Sequence, residues 1–431
     1  MQQISGKIQI EKDLLDQVDI EVKNLTDFQG SINASLEKDT SSILKTILAG
    51  AISLGCSDLH LEAQEKQAKL RVRLDGCLHD VIIFEPEKQA LLTSRIKLLS
   101  GLKLNIEDKP QDGRFSISLP DLEIEIRSST LPTQYGETAV LRILNPKSLI
   151  SLEDLGLRND LYEIFTKEIK KPNGMIIVTG PTGSGKTTTL YAFLKKIRDP
   201  EIKIITIEDP IEYHLDDISQ TQVAPEKGYD FASGLKSIVR QDPDVILVGE
   251  IRDLETAEIS LQASLTGHLV FSTLHTNNAA GTISRLTSME VKAYNIGPAI
   301  NLIIAQRLVR KICKKCAEPR PAAPEEIKKV EEFLKDAPAE VLKNYPKTED
   351  LVVYEPKGCE YCNSTGYKGR IGIYEAIKMD SELENFIAIN PTISELAKKA
   401  KEKGMIPMKT DGFLKVLEGS TTIEEIEKAV G

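Results

Sequence analysis

Nowhere in its 431 residues does this sequence hold an apolar run long enough to cross a bilayer. Its apolar runs, such as Met175 to Val178 and Val245 to Val248, are strand-length, against the ~18 residues a spanning helix needs, so no transmembrane helix is expected. The first residues, Met1-Gln-Gln-Ile-Ser-Gly-Lys7, lack a basic stretch followed by an apolar one. No secretory signal is read there, and a cytoplasmic protein is expected. An excess of positive charge is also missing: 55 Lys and Arg stand against 65 Asp and Glu, a net charge of −10. Binding along a nucleic-acid backbone relies on a basic face, so no direct nucleic-acid partner is expected. No repeat of fixed period and no low-complexity tract occurs.

What is present suits a folded, multidomain chain. Hydrophobic residues make up 41% and charged residues 28%, values of a water-soluble globular protein, and the length exceeds what one core usually serves. Residues 1–40 are polar and mixed, and are expected to form a leader or mobile arm. From Ser41 the apolar positions Ile43, Leu44, Ile47, Leu48, Ala51 and Ile52 follow helical spacing. The segments Ala68 to Leu74, Phe115 to Leu119 and Leu122 to Arg127 alternate as strands do. Residues 41–145 therefore read as a small α/β domain, and 146–158 as a linker. From residue 159 to 431, apolar strands at Met175–Thr179, Ile202–Ile207, Val245–Val248 and Leu269–Ser272 alternate with helical stretches, which implies βαβ units and a parallel sheet. Residues 311–372 interrupt that order with Cys pairs, prolines and charge, and 381–431 read as a helical tail.

The chemistry begins at Gly180-Pro181-Thr182-Gly183-Ser184-Gly185-Lys186-Thr187-Thr188. This is a P-loop pattern set between an apolar strand and a helix starting at Lys186 or Thr187, the context that separates it from a glycine-rich turn. Backbone N–H groups would cradle the phosphates of ATP at the helix N-terminus. Lys186 would neutralise the β- and γ-phosphates, and the Thr187 hydroxyl would ligate Mg2+. Downstream, the strand Val245–Val248 leads through Gly249 to Glu250, a carboxylate at the C-terminal edge of the sheet and near the metal; its alternative use is a surface pair with Arg252. A second acidic cluster, Glu208-Asp-Pro-Ile-Glu212, follows the strand Ile202–Ile207. One carboxylate could serve Mg2+ through water and another polarise the attacking water. Spacing does not rank Glu208 against Glu212. His268 and His275 bracket a further strand, and His275 stands where it could sense a γ-phosphate.

Cys313-Lys-Lys-Cys316 and Cys359-Glu-Tyr-Cys362 are two Cys-x-x-Cys pairs with 42 residues between them. Four thiolates so spaced suit a closed tetrahedral Zn2+ site; two redox dithiols or unligated cysteines are the alternatives. The intervening segment reads as an excursion without a core of its own, pinned at its base by the metal. Cys56 and Cys77 have no partner at ligand spacing and read as small core residues.

In order along the chain, the P-loop Gly180–Thr187, the acidic box Ile207–Tyr213, the stretch Arg240–Asp253 and the histidine box ending Leu274-His275-Thr276 resemble the four signatures of the secretion and pilus-assembly ATPase superfamily. The resemblance reaches upstream through Ser57-Asp-Leu-His60-Leu-Glu62, Arg71-Val-Arg-Leu-Asp-Gly76 and Gln111-Asp-Gly-Arg114, and covers roughly residues 41–380. It implies a RecA-like motor domain preceded by a small PAS-like domain, a zinc-binding insertion, a homo-hexameric ring, and ATP hydrolysis coupled to mechanical work. It assigns His275 a role at the γ-phosphate. It makes Arg114 and Arg127, with Arg142 a third, candidates to reach a nucleotide, and Leu155-Gly156 a segment that touches the adenosine. The partners it implies are an inner-membrane platform protein and its cytoplasmic docking protein, with membrane association peripheral through them. Larger members carry a further domain ahead of the PAS-like one, where this sequence has about 40 residues. The four-cysteine insertion marks assembly and secretion motors, which disfavours pilus retraction. A DNA translocase would share the motor core, but no aromatic-studded basic strand for stacking bases is found. The Leu-Ser-Gly-Gly-Gln signature of ABC transporters is absent.

Overall fold

The computed structural model of the chain describes residues 6–430. It divides into two compact units. The first comprises Met1–Ser148, Cys313–Cys316 and Pro356–Lys368, and the second Leu149–Ile312, Ala317–Glu355 and Gly369–Gly431.

The first unit is built from β1 (Lys7–Gln9), α1 (Lys12–Glu21), α2 (Leu25–Ser35), α3 (Thr40–Leu54), β2 (Asp58–Ala63), β3 (Ala68–Leu74), β4 (Cys77–Phe84), α4 (Pro86–Leu99), β5 (Gln111–Leu119), β6 (Leu122–Thr133) and β7 (Gly136–Leu144). The strands form one sheet in the order β1-β5-β6-β7-β2-β3-β4, antiparallel except where β1 runs beside β5. Strict alternation sets its faces. In β3, Ala68, Leu70, Val72 and Leu74 are buried while Lys69, Arg71 and Arg73 point out. The outward side chains are neutralised across strands, as Arg71 and Lys69 are by Asp80 at 2.9 and 2.8 Å. Helix α3 is capped by the Asp39 carboxylate, which accepts from the Ser41 and Ser42 N–H groups, and stops at Gly55 in the left-handed region.

Residues 6–40 are not a leader or a mobile arm. Ile8, Ile10, Val18, Val22, Phe28 and Ile32 are buried in the same core as Leu44 and Leu48 of α3. The Phe28 ring packs against Gly50, where a Cβ would stand 2.3 Å from it. Most of the sparse apolar residues of this polar segment turn to one side, Ile20 being the exposed exception.

The second unit holds α5 (Asn159–Glu168), β8 (Gly174–Thr179), α6 (Lys186–Ile197), β9 (Ile204–Glu208), β10 (Ser219–Gln222), α7 (Phe231–Val239), β11 (Val245–Val248), α8 (Leu254–Leu265), β12 (Leu269–Leu274), α9 (Ala280–Ser288), α10 (Ala293–Ala299) and β13 (Ile300–Ile312). It continues with β14 (Ala317–Pro321), α11 (Pro324–Leu334), α12 (Ala339–Leu342), β15 (Val352–Pro356), β16 (Tyr367–Lys378), α13 (Ser381–Ala388), α14 (Ile393–Glu402), α15 (Met408–Leu417) and α16 (Ile423–Val430). Its main sheet has the order β10-β9-β11-β12-β8-β13-β16 and is parallel from β10 to β13. Every residue of β8, β9, β11 and β12 is buried. Met175 and Ile177 of β8 join the core of α7 to α10, whereas Ile176 and Val178 join that of α5 and α6, so helices cover both faces. The expected mixed α/β fold with a parallel sheet is the observed one.

Two expectations for this unit change. The segment 146–158 is only half a connector, because Leu152 and Leu155 are buried in the core of α5 and α6. The insertion 311–372 is not one subdomain: both Cys pairs belong to the first unit, and Ala317–Glu355 to the second. Val330, Leu334, Leu351 and Val353 enter the motor core, and the Phe333 ring stacks on Phe413 of α15 at 4.8 Å, so that stretch borrows a core rather than lacking one. The tail is held by a buried ion pair between Arg158 and Asp411, whose carboxylate also accepts the Tyr374 N–H at 2.7 Å.

Replacing Phe28 by Ala should destabilise the first unit by about 3–5 kcal/mol, the cost of truncating a fully buried aromatic side chain. Denaturant unfolding followed by circular dichroism checks it in a chain without tryptophan; an effect below about 0.5 kcal/mol, as at an exposed site, would return the segment to the status of an arm.

Candidate functional site

The connection leaving β8 runs through α6 to β9 on one side of it, and that leaving β12 runs through α9 and α10 to β13 on the other. Such a reversal opens a crevice at the C-terminal strand ends. The phosphate loop Gly180 to Thr187 lies there. Gly180 and Gly185 are required by close approach: a Cβ on the first would stand 2.6 Å from the Gln306 carbonyl oxygen, and one on the second 2.7 Å from Gln306 Nε2. Gly185 is the N-cap of α6 and offers no side-chain cap, so the first N–H groups of the helix are left for an anion. Ser184 is buried with its hydroxyl unbonded, a polar atom of the loop that awaits a partner. Pro181, Thr182 and Gly183 are exposed, while Thr187 and Thr188 are half-buried. Lys186 curls over the loop and donates to the carbonyls of Gly180 at 2.8 Å and Pro181 at 3.3 Å. Burial lowers its pKa and the charge of Arg307 lowers it further, against the opposing pull of Glu250. These residues fit a nucleotide polyphosphate.

Three strand ends bring the acids and the histidine. Gly249 donates to the Ile207 carbonyl at 2.8 Å, which sets Glu250 beside the end of β9. The Glu250 carboxylate pairs with Arg252 and stands 3.4 Å from His275 Nε2; Arg252 also reaches Asp209 at 3.4 Å. The pair with Arg252 is thus formed, and the same carboxylate stands at the strand end beside His275. His275 is half exposed on a loop stitched to β8 by the Thr276 N–H, which donates to Thr179 Oγ1 at 2.8 Å. His268 sits at the opposite end of β12, with Nδ1 at 3.0 Å from the Ala263 carbonyl, and belongs to that turn.

Glu208 and Glu212, inseparable by spacing, have different surroundings. Glu208 is buried and accepts from Tyr191, from Thr206 Oγ1 at 2.6 Å and from Gln220 Nε2 at 3.2 Å. Burial raises its pKa, and the three donors hold it down only in part. Glu212 is half-buried. Leu155 is enclosed in the core, with its carbonyl accepting from Tyr374 at 3.1 Å. Gly156 has φ +75° and would press a Cβ to 2.5 Å from Ile371, so both have packing roles within the unit. Sequence reasoning passed over Gln306, which is buried and accepts from Thr189 at 2.7 Å. The only signal was that β13's apolar run breaks there.

In the first unit, Arg114 lies directly opposite Arg127, Arg127 opposite Arg142, Arg142 opposite Asp58, and Asp58 opposite Arg73. Like charges facing one another across strands are unfavourable. Glu125, at 3.6 and 3.9 Å from Arg114 and Arg127, and Asp58, at 2.9 Å from Arg142, offset the repulsion.

The four Cys-pair sulfurs converge on one point, all within 4.8 Å of one another. Sγ separations of 4.0, 3.7 and 3.8 Å match the ~3.8 Å edge of a tetrahedron with Zn–S bonds of ~2.3 Å, so the donor set fits zinc. Cys362 Sγ accepts the N–H groups of Cys359 and Gly366, each at 3.2 Å. Against burial, which pushes its pKa up, these bonds bring it down to about 7. Next to it Asn363 sits in the left-handed region and accepts the Leu25 N–H at 2.6 Å, tying the knuckle to the first turn of α2. Cys56, as expected, is a core residue, its thiol pushed up to about 12 by burial.

Residues 33–428 match the family described as "Type II/IV secretion system protein". The type IV pilus assembly ATPase PilB of Pseudomonas aeruginosa is 42% identical over 425 residues, covering 96% of this chain and 72% of that protein. Type II secretion system ATPase E of Vibrio cholerae is 42% identical over 397 residues, 90% and 75%. Among solved structures, the pilus retraction motor PilT with bound ADP aligns at a TM-score of 0.60 and 28% identity, over 89% of this chain and 95% of that one. The ATPase DotB of Legionella pneumophila, at 0.66 and 21% over 91% and 96%, shares the fold. Among the described residues no helix is long and apolar enough to cross a membrane.

Two outcomes follow from this geometry. A carboxyl whose pKa is raised above its ordinary 4.5 in the folded chain favours folding at low pH, and that contribution fades as pH climbs from 4.5 through the raised value. Glu208→Gln should therefore gain stability relative to the parent between mildly acidic and neutral pH; parallel urea midpoints across that range would contradict it. Metal analysis should find one zinc per chain, and stripping it with a chelator should speed amide exchange at Leu25 to Phe28, through Asn363. Natively folded protein without metal would count against the site.

Proposed function

The chain belongs to the family of type II/IV secretion system proteins and is an ATPase, and on that premise we propose that it powers assembly of type IV pili or of type II secretion pseudopili at the cytoplasmic face of the inner membrane. The observation that carries the reading is the meeting of Lys186, Glu250 and His275 at the ends of β8, β11 and β12. Relatives named as assembly or secretion ATPases are 42% identical, whereas the retraction motor is 28% identical, which favours assembly over retraction.

In this reading the loop N–H groups and Lys186 bind the phosphates, and Leu155-Gly156 borders the adenosine. Thr187 and Glu250 would hold Mg2+, which when bound neutralises charge on the phosphates. Glu208 and Glu212 are the carboxylates from which the acceptor of the attacking water's proton comes, Glu208 tuned upward by burial. His275, in contact with Glu250, registers the γ-phosphate. Arg114 and Arg127 reach the site of a neighbouring chain in a homo-hexamer. Their row on one sheet face, kept despite like-charge repulsion, suits an anionic partner. The tetracysteine cluster holds zinc. The partners are an inner-membrane platform protein and its docking protein, through which the motor associates peripherally with the membrane.

Lys186→Ala should abolish ATP binding, while Glu250→Gln should keep binding and lose turnover by about a hundredfold or more, since only the second acts mainly on the transition state. Nucleotide titration and steady-state hydrolysis on the two variants separate the roles; parental turnover in Glu250→Gln would overturn the assignment.

A further inference from the structure

Ala305 of β13 is paired with Thr179 of β8, so the two residues that follow it run alongside the start of the phosphate loop. The Gln306 carbonyl there approaches Gly180 so closely that a Cβ would stand 2.6 Å away. Arg307 folds back onto this same carbonyl, Nη1 donating to it at 3.0 Å. Its Nη2 donates to the Asn277 carbonyl at 3.0 Å. Asn277 lies two residues past His275. One guanidinium therefore ties the β13 carbonyl that flanks Gly180 to the loop that carries the histidine.

The bridge is made with neutral acceptors. Among the described residues no carboxylate forms an ion pair with Arg307. The nearest acidic influence is Glu375, whose carboxylate is spent on the N–H groups of Ala279 at 2.8 Å and Met408 at 3.2 Å, at the starts of α9 and α15. Burial lowers the pKa of Arg307, and its charge in turn weighs on Lys186. Two half-buried cations beside an N-terminal helix end, with carbonyls for partners, form a site that is completed by a strongly charged anion.

We propose that Arg307 is a catalytic residue supplied by the motor unit itself, contacting the terminal phosphate of bound ATP and, through its bond to Asn277, making the His275 loop respond to whether that phosphate is present. This rests on the ATPase reading above. The reaction remains hydrolysis: the water oxygen bonds to the γ-phosphorus as the bond to the bridging oxygen of ADP breaks, and the water's proton goes to a carboxylate. Arg307 exchanges no proton. It offsets the charge that gathers on the γ-phosphoryl oxygens, and its planar fork can hold a phosphate oxygen and the Asn277 carbonyl together.

The test uses the full chain with Arg307→Gln and Arg307→Lys, measuring ATP and ADP affinity by competition with a fluorescent nucleotide, together with kcat and Tm. Arg307→Gln should lose about tenfold or more of its preference for ATP over ADP and at least about tenfold in kcat, with Tm nearly unchanged. Arg307→Lys should recover ATP affinity in part but stay slow, because an ammonium is a point charge that does not bridge both loops. Equal weakening of ATP and ADP, or none, would overturn the proposal and leave Arg307 a brace between loops. Should Arg307→Gln fail to fold, parental kcat in Arg307→Lys would overturn it equally. The parent and Lys186→Ala run beside them: an inactive parent defeats the ATPase reading, while an active parent matched by the Arg307 variants defeats this inference alone.

Discussion

The central strands of the motor sheet are buried on both faces, and that constraint decides where chemistry can stand. An uncompensated polar group in such a layer costs several kcal/mol. β8, β11 and β12 are accordingly closed to solvent along their whole lengths, and the serine and threonines they contain are spent on the neighbouring backbone, as Ser272 is on the Val248 carbonyl at 2.8 Å. Reactive groups are left only the strand ends. Gly180 to Thr187, Glu208, Glu250 and His275 all lie at or just past the C-terminal ends of parallel strands, and Arg307 stands beside them on β13, two residues beyond its last pairing with β8.

The first unit solves a different problem with a one-sided sheet. Its inner face supports a core, so its outer face is free to carry charge, and it carries a row of arginines held in check by Glu125 and Asp58. Residues 6–40 close the far side of that core, and the Cys-pair module is anchored to them through Asn363 and Leu25. A metal at the four sulfurs would thus steady the start of α2 as well as its own knuckles.

Features written in short spacings were legible in the sequence: the phosphate loop, Glu250 after its strand, and the two Cys pairs, each confined to a few consecutive residues. The apolar strands of the motor could be read because burial on both faces leaves unbroken apolar runs. What escaped depends on long-range pairing. Ile8, Val18, Phe28 and Ile32 make a core only because α3 and β5 lie against them. Gln306 and Arg307 stand beside the phosphate loop only because β13 pairs with β8, far from it in sequence. The stretch Ala317–Glu355 looked coreless because its apolar residues complete a core whose other members lie far away in sequence, in the motor strands and helices and in the tail. Glu208 and Glu212 differ in burial, which spacing does not encode.

On the proposed function, this chain is an ATPase motor whose site a neighbouring copy completes through Arg114 and Arg127. The most direct measurement is hydrolysis per chain across a dilution series, with particle mass followed in the same samples. Activity per chain should rise as chains assemble and level off once rings predominate, as mass action requires of a shared site. Full activity in samples that contain monomers alone would contradict it.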